Sequence, residues 1–189
     1  MADLYKLLQE SGAILKGHFL LTSGRHSDTY FEKFRLLERP EVLSEVCGEI
    51  AEHFQHETID LVAGPTTGGI IIAFEVARRI GKPALYVESE NGKRALRRGA
   101  SVAPGSRVLI VDDVFTTGTS VVEVADLLRS LSAVIAGVAV LVDRSESPVD
   151  FGAPFFAAVR VMATSYPPNQ VPPDLAALPL TKPGAGRSI

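Results

Sequence analysis

Residues 108–120 constrain this chain more than any other stretch. Val108, Leu109, Ile110 and Val111 form a continuous apolar, mostly β-branched run, which suits a strand buried on both faces of a parallel sheet rather than an alternating edge strand. Asp112 and Asp113 follow directly, and adjacent carboxylates are out of place in a core. After Val114 and Phe115 comes a short loop of hydroxyls around one glycine: Thr116, Thr117, Gly118, Thr119 and Ser120. Val121, Val122, Val124, Ala125, Leu127, Leu128 and Leu131 then recur at helical spacing. Ser120-Val-Val-Glu123 fits a capping box, which predicts that the helix starts at Ser120.

A strand, an acidic pair, a small polar loop and a helix N-terminus each have a chemical use. The unpaired N–H groups of a first helical turn, the positive end of the helix dipole and nearby hydroxyls form an anion site, and Gly118 lets the loop fold closely around it. Asp112 and Asp113, acceptors when ionised, suit the hydroxyls of a sugar that carries the phosphate. The segment therefore reads as a ribose 5-phosphate site. The plainer alternative is a strand-turn-helix with an acidic cap and a Ser/Thr-rich turn. The chain holds no Gly-x-x-x-x-Gly-Lys-Ser/Thr loop and no Gly-x-Gly-x-x-Gly after a strand.

An apolar strand, two acidic residues, two variable positions and Thr-Thr-Gly-Thr resemble the phosphoribosyl-pyrophosphate (PRPP) motif of the type I phosphoribosyltransferases. On that resemblance Asp112 and Asp113 hold the ribose hydroxyls, and Thr116, Thr117, Gly118, Thr119 and Ser120 surround the 5'-phosphate.

A second loop of the same kind precedes it. Ile59 to Ala63 reads as a core strand running into Gly64-Pro65-Thr66-Thr67-Gly68-Gly69 and an apolar helix from Ile70 to Ile80. Strands of one parallel sheet present their carboxyl ends on a common edge, so the two loops should face one site. In the family the equivalent loop faces pyrophosphate, which gives Thr66, Thr67 and Gly68 that role. The best-known relatives carry a lysine where this chain has Gly68.

Near the N-terminus, Leu4, Leu7, Leu8 and then Gly12 mark a short helix. Residues 17–33 read as two short strands around a Ser-Gly turn, in the plainest view a surface hairpin. The run Gly17-x-Phe19-x-Leu21-x-Ser23-Gly24-x-x-Ser27, followed by aromatics, is similar to the N-terminal hood of the orotate phosphoribosyltransferases. That resemblance puts His26, Tyr30 and Phe31 around the base. Pro40 opens a helix whose buried face is marked by Val42, Leu43, Val46, Cys47, Ile50, Ala51 and Phe54. His53 and His56 read as exposed helix-end residues rather than as metal ligands.

Residues 88–99 carry both charge signs without an apolar period and are expected to be an exposed, mobile loop. Its four cations, Lys93, Arg94, Arg97 and Arg98, are candidates to close over pyrophosphate, against the alternative of a solvated basic loop. They do not match the Arg-Lys-Glu-x-Lys-x-His-Gly pattern of the best-known relatives one by one. Val134 to Val142 is a long apolar strand ending in Asp143-Arg144. Arg144 matches the residue that holds the carboxylate of orotate in the family, the alternative being a capping or salt-bridged arginine; Thr116 would assist it. Phe155 to Met162 is the last strand expected, and the Pro-rich segment from Tyr166 onward reads as irregular tail.

With 189 residues, 46% hydrophobic and 22% charged, the chain suits one globular domain with a small appendage. A net charge of −3 and pI near 5.8 argue against a nucleic-acid partner. No apolar stretch approaches a membrane span of ~20 residues, and the lone Cys47 fits a reducing, cytoplasmic setting. The fold expected is α/β, a doubly wound, mostly parallel sheet with a small N-terminal hood. Residues 1–35 would form the hood, 36–165 the PRPP-binding core and 166–189 the tail. The resemblance implies transfer of phosphoribosyl from PRPP to orotate in pyrimidine (UMP) biosynthesis, in a homodimer. Mg²⁺ would be the cofactor, held through PRPP and water with no protein ligand of its own. Two rivals remain: a type I enzyme for another base, and a catalytically weak PRPP or nucleotide sensor.

Overall fold

The computed structural model describes residues 4–21, 23–145, 147–161 and 164–183. In chain order the elements are α1 (Leu4–Glu10), β1 (Ile14–Leu20), β2 (His26–Phe31), α2 (Lys33–Leu37), α3 (Pro40–His53), β3 (Leu61–Pro65), α4 (Gly68–Ile80), β4 (Ala84–Glu90), β5 (Lys93–Ala95), β6 (Arg107–Phe115), α5 (Thr119–Ser130), β7 (Val134–Asp143), β8 (Phe155–Arg160), β9 (Ser165–Tyr166), α6 (Pro173–Ala176) and β10 (Leu180–Thr181). They form two units, Met1–Arg39 with Val161–Ile189, and Pro40–Arg160.

The larger unit is built on a six-stranded sheet of order β5-β4-β3-β6-β7-β8, parallel except for β5. This is the α/β, mostly parallel sheet that the alternating pattern predicts. The apolar run of β6 lies in its interior, and Val108 to Val111 expose no surface. Val108, Ile110, Val138 and Val140 join Val121, Val124, Ala125 and Leu128 of α5 in one core cluster. Their alternate neighbours Leu109, Val111, Ala139 and Leu141 are equally buried and, by the two-residue pleat, face the other side. There α4 packs on β3, β4 and β6, and α3 on β7 and β8. Phe54, at the end of α3, fits over β7 because residue 137 is glycine; a Cβ there would lie 2.3 Å from its ring.

The smaller unit carries a four-stranded sheet of order β10-β1-β2-β9. β1 and β2 are the expected hairpin. The segment expected to be irregular tail supplies two more strands: β9 pairs antiparallel with β2, and β10 parallel with β1. Each is two residues long, too short to show alternation. Met162, the expected end of the last strand, and residues 184–189 of the tail lie outside the described residues.

Residues 88–99 also differ from expectation. They are not a featureless loop: β4 continues to Glu90 and turns through Asn91 and Gly92 into β5, with Glu88 opposite Ala95 and Glu90 opposite Lys93. Asn91 and Gly92 both have positive φ, at 50° and 75°, as a type I′ hairpin turn requires.

A polar clasp joins α3 to α4. Glu75 Oε1 accepts from Ser44 Oγ at 2.6 Å and from Arg79 Nε at 3.0 Å, and Oε2 from Arg78 Nε at 2.8 Å. The Arg78 hydrogen bond, helped by Ser44 and Arg79 and opposed by burial, lowers the Glu75 carboxyl to about 2. A depressed folded pKa stabilises above the unfolded value and ceases to as pH falls through the folded one. Glu75→Gln is therefore expected to cost about 1 kcal/mol at neutral pH, given the exposed arginines. Urea unfolding should show that gap narrowing from pH 4.5 toward 2; a gap independent of pH would remove the ionic part of the clasp.

Candidate active site

Two loop-to-helix junctions meet at the carboxyl edge of the larger unit's sheet. β3 ends at Pro65 and α4 begins at Gly68; β6 ends at Phe115 and α5 begins at Thr119. Because β3 and β6 are parallel neighbours, with Ala63 opposite Ile110, both helix N-termini lie on one edge. Asp112 and Asp113 are buried, 7% and 6% exposed. Asp112 Oδ1 accepts from Asp113 N at 2.8 Å, and Asp113 Oδ1 from Val114 N at 2.7 Å, which fixes both side chains. Asp113 also touches the other junction: a Cβ at residue 68 would sit 2.0 Å from its Oδ2. The first turn of α4 and the second carboxylate therefore share one small volume. Thr66 N donates to Val87 O at 3.0 Å, which ties this loop to β4, while Thr67 is exposed.

The second loop is shaped by Gly118, with φ at 75° and its Cα against the Phe115 ring; a Cβ would come within 2.6 Å of it. Thr116, Thr117 and Thr119 are exposed, and the Thr117 and Thr119 hydroxyls are 2.9 Å apart. Gly118, not Ser120, is the N-cap. The capping box does not form because Arg94 takes both of its side chains. Arg94 Nη2 donates to Ser120 Oγ at 2.8 Å and Nε to Glu123 Oε2 at 2.9 Å.

The other three hairpin cations lie differently. Arg97 pairs with Glu90, and Arg98 Nε lies 3.4 Å from Glu88 Oε1. Among the described residues Lys93, exposed beside the turn, has no ion-pair partner.

At the end of β7, Asp143 is fully buried and accepts from Arg160 at 2.6 Å and from Ser145 N at 2.8 Å. Burial pushes its carboxyl up, but Ser145 and Arg160 outweigh this and hold it below the ordinary carboxylate range. Arg144, half-buried, donates its backbone N–H to Phe115 O at 2.8 Å, which puts it beside the start of the 116–118 loop.

In the smaller unit, β2 alternates strictly. His26, Asp28 and Tyr30 are half-exposed on one face, and Ser27, Thr29 and Phe31 are buried on the other. Phe31 thus belongs to that unit's core and does not line a surface with His26 and Tyr30. His18, absent from the candidates drawn from the sequence, is 6% exposed and lies against His26. Its Nδ1 is 3.2 Å from Leu178 O, which can only accept, so Nδ1 carries the proton. Its Nε2 lies 2.6 Å from His26 Nδ1. A partner lying eight residues away, across a hairpin, was the available sequence signal.

The His53 ring stacks on Phe156 at 4.2 Å. Among the described residues no group of three or more His, Cys, Asp or Glu could hold an ion.

The chain matches the phosphoribosyl transferase domain family over residues 35–153. It is 42% identical over 183 residues to the orotate phosphoribosyltransferase of Desulforamulus reducens, covering 97% of this chain and 96% of that one. It is 44% identical over 183 residues to that of Pelotomaculum thermopropionicum, with the same coverage. The crystal structure of orotate phosphoribosyltransferase from Aeropyrum pernix superposes with a TM-score of 0.73 at 33% identity, covering 84% of this chain and 93% of that one.

The Gly68–Asp113 approach yields a direct test. Gly68→Ala puts a methyl where Asp113 Oδ2 lies, and the carboxylate must rotate away. The variant should melt within about 4 °C of the parent yet lose about tenfold or more in catalytic efficiency. Unchanged activity would show that Asp113 need not occupy this position.

Proposed function

The chain belongs to the orotate phosphoribosyltransferase family, and we propose that it transfers the 5-phosphoribosyl group of PRPP to orotate, giving orotidine 5'-monophosphate and pyrophosphate in pyrimidine biosynthesis. The observation that carries this reading is the buried Asp112–Asp113 pair set between two helix N-termini on one sheet edge. Each helix end suits one anion and the carboxylates suit the sugar between them.

The reaction needs little acid or base chemistry. The bond from ribose C1 to pyrophosphate breaks as a ring nitrogen of orotate forms its bond to C1 from the opposite face. Positive charge develops on the ribose and negative charge on the leaving group, so the protein must hold both partners in line and neutralise pyrophosphate. We assign the 5'-phosphate to Thr117, Gly118, Thr119 and Ser120, and the ribose hydroxyls to Asp112 and Asp113. Pyrophosphate falls to the N-terminus of α4 with Thr66, Thr67 and Gly68, joined by Lys93. Orotate falls to Arg144 and Thr116, with His26 and Tyr30 as the hood's candidates.

Mg²⁺ fits this donor set as a cofactor. Two carboxylates without a third acidic or imidazole group among the described residues suit an ion bound mainly through substrate oxygens and water. When bound, it would add positive charge against the diphosphate.

The working form we assign is a homodimer. Ile71 and Phe74, three apart on α4, and Tyr86 on β4 are large apolar side chains left exposed on the larger unit, Phe74 at 64%. A second copy covering them fits the family habit implied by the hood and PRPP motifs. Sedimentation of the parent as a dimer, with Phe74→Glu shifted toward monomer, is expected; a monomeric parent at about 10 µM, equivalent to −6.8 kcal/mol or weaker, would end this assignment. The cytoplasm is the proposed location. It rests on Cys47, a buried free thiol, and no described helix is long and apolar enough to cross a membrane.

Pyrophosphate release from PRPP and Mg²⁺, with orotate, uracil, adenine, guanine, hypoxanthine and xanthine offered separately, tests the function. Release with orotate alone is expected. Release with another base would overturn the base assignment, and release with none would favour a sensor. Arg144→Ala should raise the orotate KM by about tenfold or more, as loss of a charge-assisted pair does, with a much smaller change in the PRPP KM. Equal changes would remove Arg144 from the base.

A further inference from the structure

The four cations of residues 93–98 do not form one group. We propose that Arg94 serves the sugar-phosphate end of the site and not pyrophosphate: it is a positioning residue that clamps the β4–β5 hairpin to the first turns of α5 and orients Ser120 toward the 5'-phosphate. This rests on the assignment of the 5'-phosphate to the α5 N-terminus.

Three observations carry it. The first is where Arg94 is held. Its side chain is 13% exposed, against 47% for Arg97 and 76% for Arg98, and two of its nitrogens already bond to α5, 26 and 29 residues away in sequence. Reaching a ligand elsewhere would break two charge-assisted hydrogen bonds. Its backbone is fixed too, opposite Ser89 in the hairpin ladder.

The second is the charge it covers. Glu123 stands in the second turn of α5, the end where a bound phosphate is favoured by the helix dipole and opposed by a carboxylate. Arg94 Nε on Glu123 Oε2 cancels that opposition at its source. Without the guanidinium the same carboxylate would repel the anion that the loop is built to hold.

The third is the hydroxyl. A serine oxygen offers two acceptor positions and one proton. Ser120 Oγ uses an acceptor position for Arg94, which leaves its proton to donate. A hydroxyl that accepts from a cation is polarised and donates more strongly. Ser120 lies in the first turn of α5, whose N–H groups point at the phosphate position. Arg94 thus acts on the phosphate through Ser120, with no need to touch it.

The experiment separates the two ends of the substrate. Binding of ribose 5-phosphate and of Mg²⁺-pyrophosphate is measured calorimetrically for the parent, Arg94→Ala, Ser120→Ala and the double variant. Arg94→Ala should weaken ribose 5-phosphate about tenfold, the scale of one charged hydrogen bond, and leave pyrophosphate within about twofold. Ser120→Ala should show the same pattern, and the double variant should lose no more than Arg94→Ala alone, since both act along one path. Arg94→Lys keeps the charge but cannot bridge both partners, so it should restore less than half of the loss. Equal weakening of both ligands, loss of pyrophosphate alone, or additive losses in the double variant would each overturn the proposal. A parent that binds neither ligand would instead overturn the PRPP-site reading on which it rests.

Discussion

The approach of the Asp113 carboxylate to Gly68 is the contact on which the rest of the site depends. It exists because two neighbouring parallel strands each end in a loop that turns straight into a helix, and because no Cβ intervenes at residue 68. Tightness recurs through the same region. A Cβ at Gly64 would meet the Gly69 carbonyl oxygen at 2.2 Å, and one at Gly118 the Phe115 ring at 2.6 Å. Each of these glycines brings backbone or a carboxylate where a larger residue would hold it off. The resulting surface is lined by N–H groups, hydroxyls and two acids. The positive ends of α4 and α5 offset part of the cost of burying two carboxylates side by side.

Charge is distributed with similar economy along the sheet edge. Asp143 is buried at the end of β7, but its carboxylate is engaged by Arg160 and Ser145. Its lowered pKa marks a group that stabilises the fold above the ordinary carboxylate range and ceases to as pH falls. The Asp143-Arg144 dipeptide, adjacent in sequence, therefore divides by role. The acid ties β7 to β8, and the arginine is carried to the loop edge by its backbone bond to Phe115. The hairpin divides in the same way: Arg94 turns to α5, while Arg97 and Arg98 turn to the hairpin's own Glu90 and Glu88.

What the sequence revealed follows from how local each signal is. β6, α4, α5 and β7 were legible because their burial is written in contiguous apolar residues, and the two loop-to-helix junctions because glycine and hydroxyls cluster directly before a helix. The β4–β5 hairpin was missed although Asn91-Gly92 is a strong turn signal; the charge flanking it hid the alternation. β9 and β10 were illegible for a different reason. Two-residue strands have no period, and they form only because β1 and β2, more than a hundred residues earlier in the chain, offer free edges. The false capping box at Ser120 shows the same limit: Ser120 and Glu123 have the right spacing, but a distant arginine binds them more strongly than the helix end does. Phe31 failed for a reason the sequence did contain, since a two-residue period separates it from His26 and Tyr30.

Gly68 also explains how this chain departs from its better-known relatives. The orotate-enzyme pattern that this loop resembles has a lysine at this position, and a lysine brings a Cβ that here would overlap Asp113 Oδ2. The two arrangements are therefore exclusive as long as Asp113 keeps its rotamer: either a cation reaches pyrophosphate from the loop, or the carboxylate lies flush against the helix N-terminus. This chain has the second. On the proposed reading, positive charge for the leaving group would come from the backbone of α4, from an ion carried by PRPP and from outside the loop. Among the hairpin cations the one not engaged by an acid or hydroxyl is Lys93, at the residue after the turn. On that reading Lys93, without an ion-pair partner among the described residues, is the hairpin's candidate for the charge that a departing diphosphate requires.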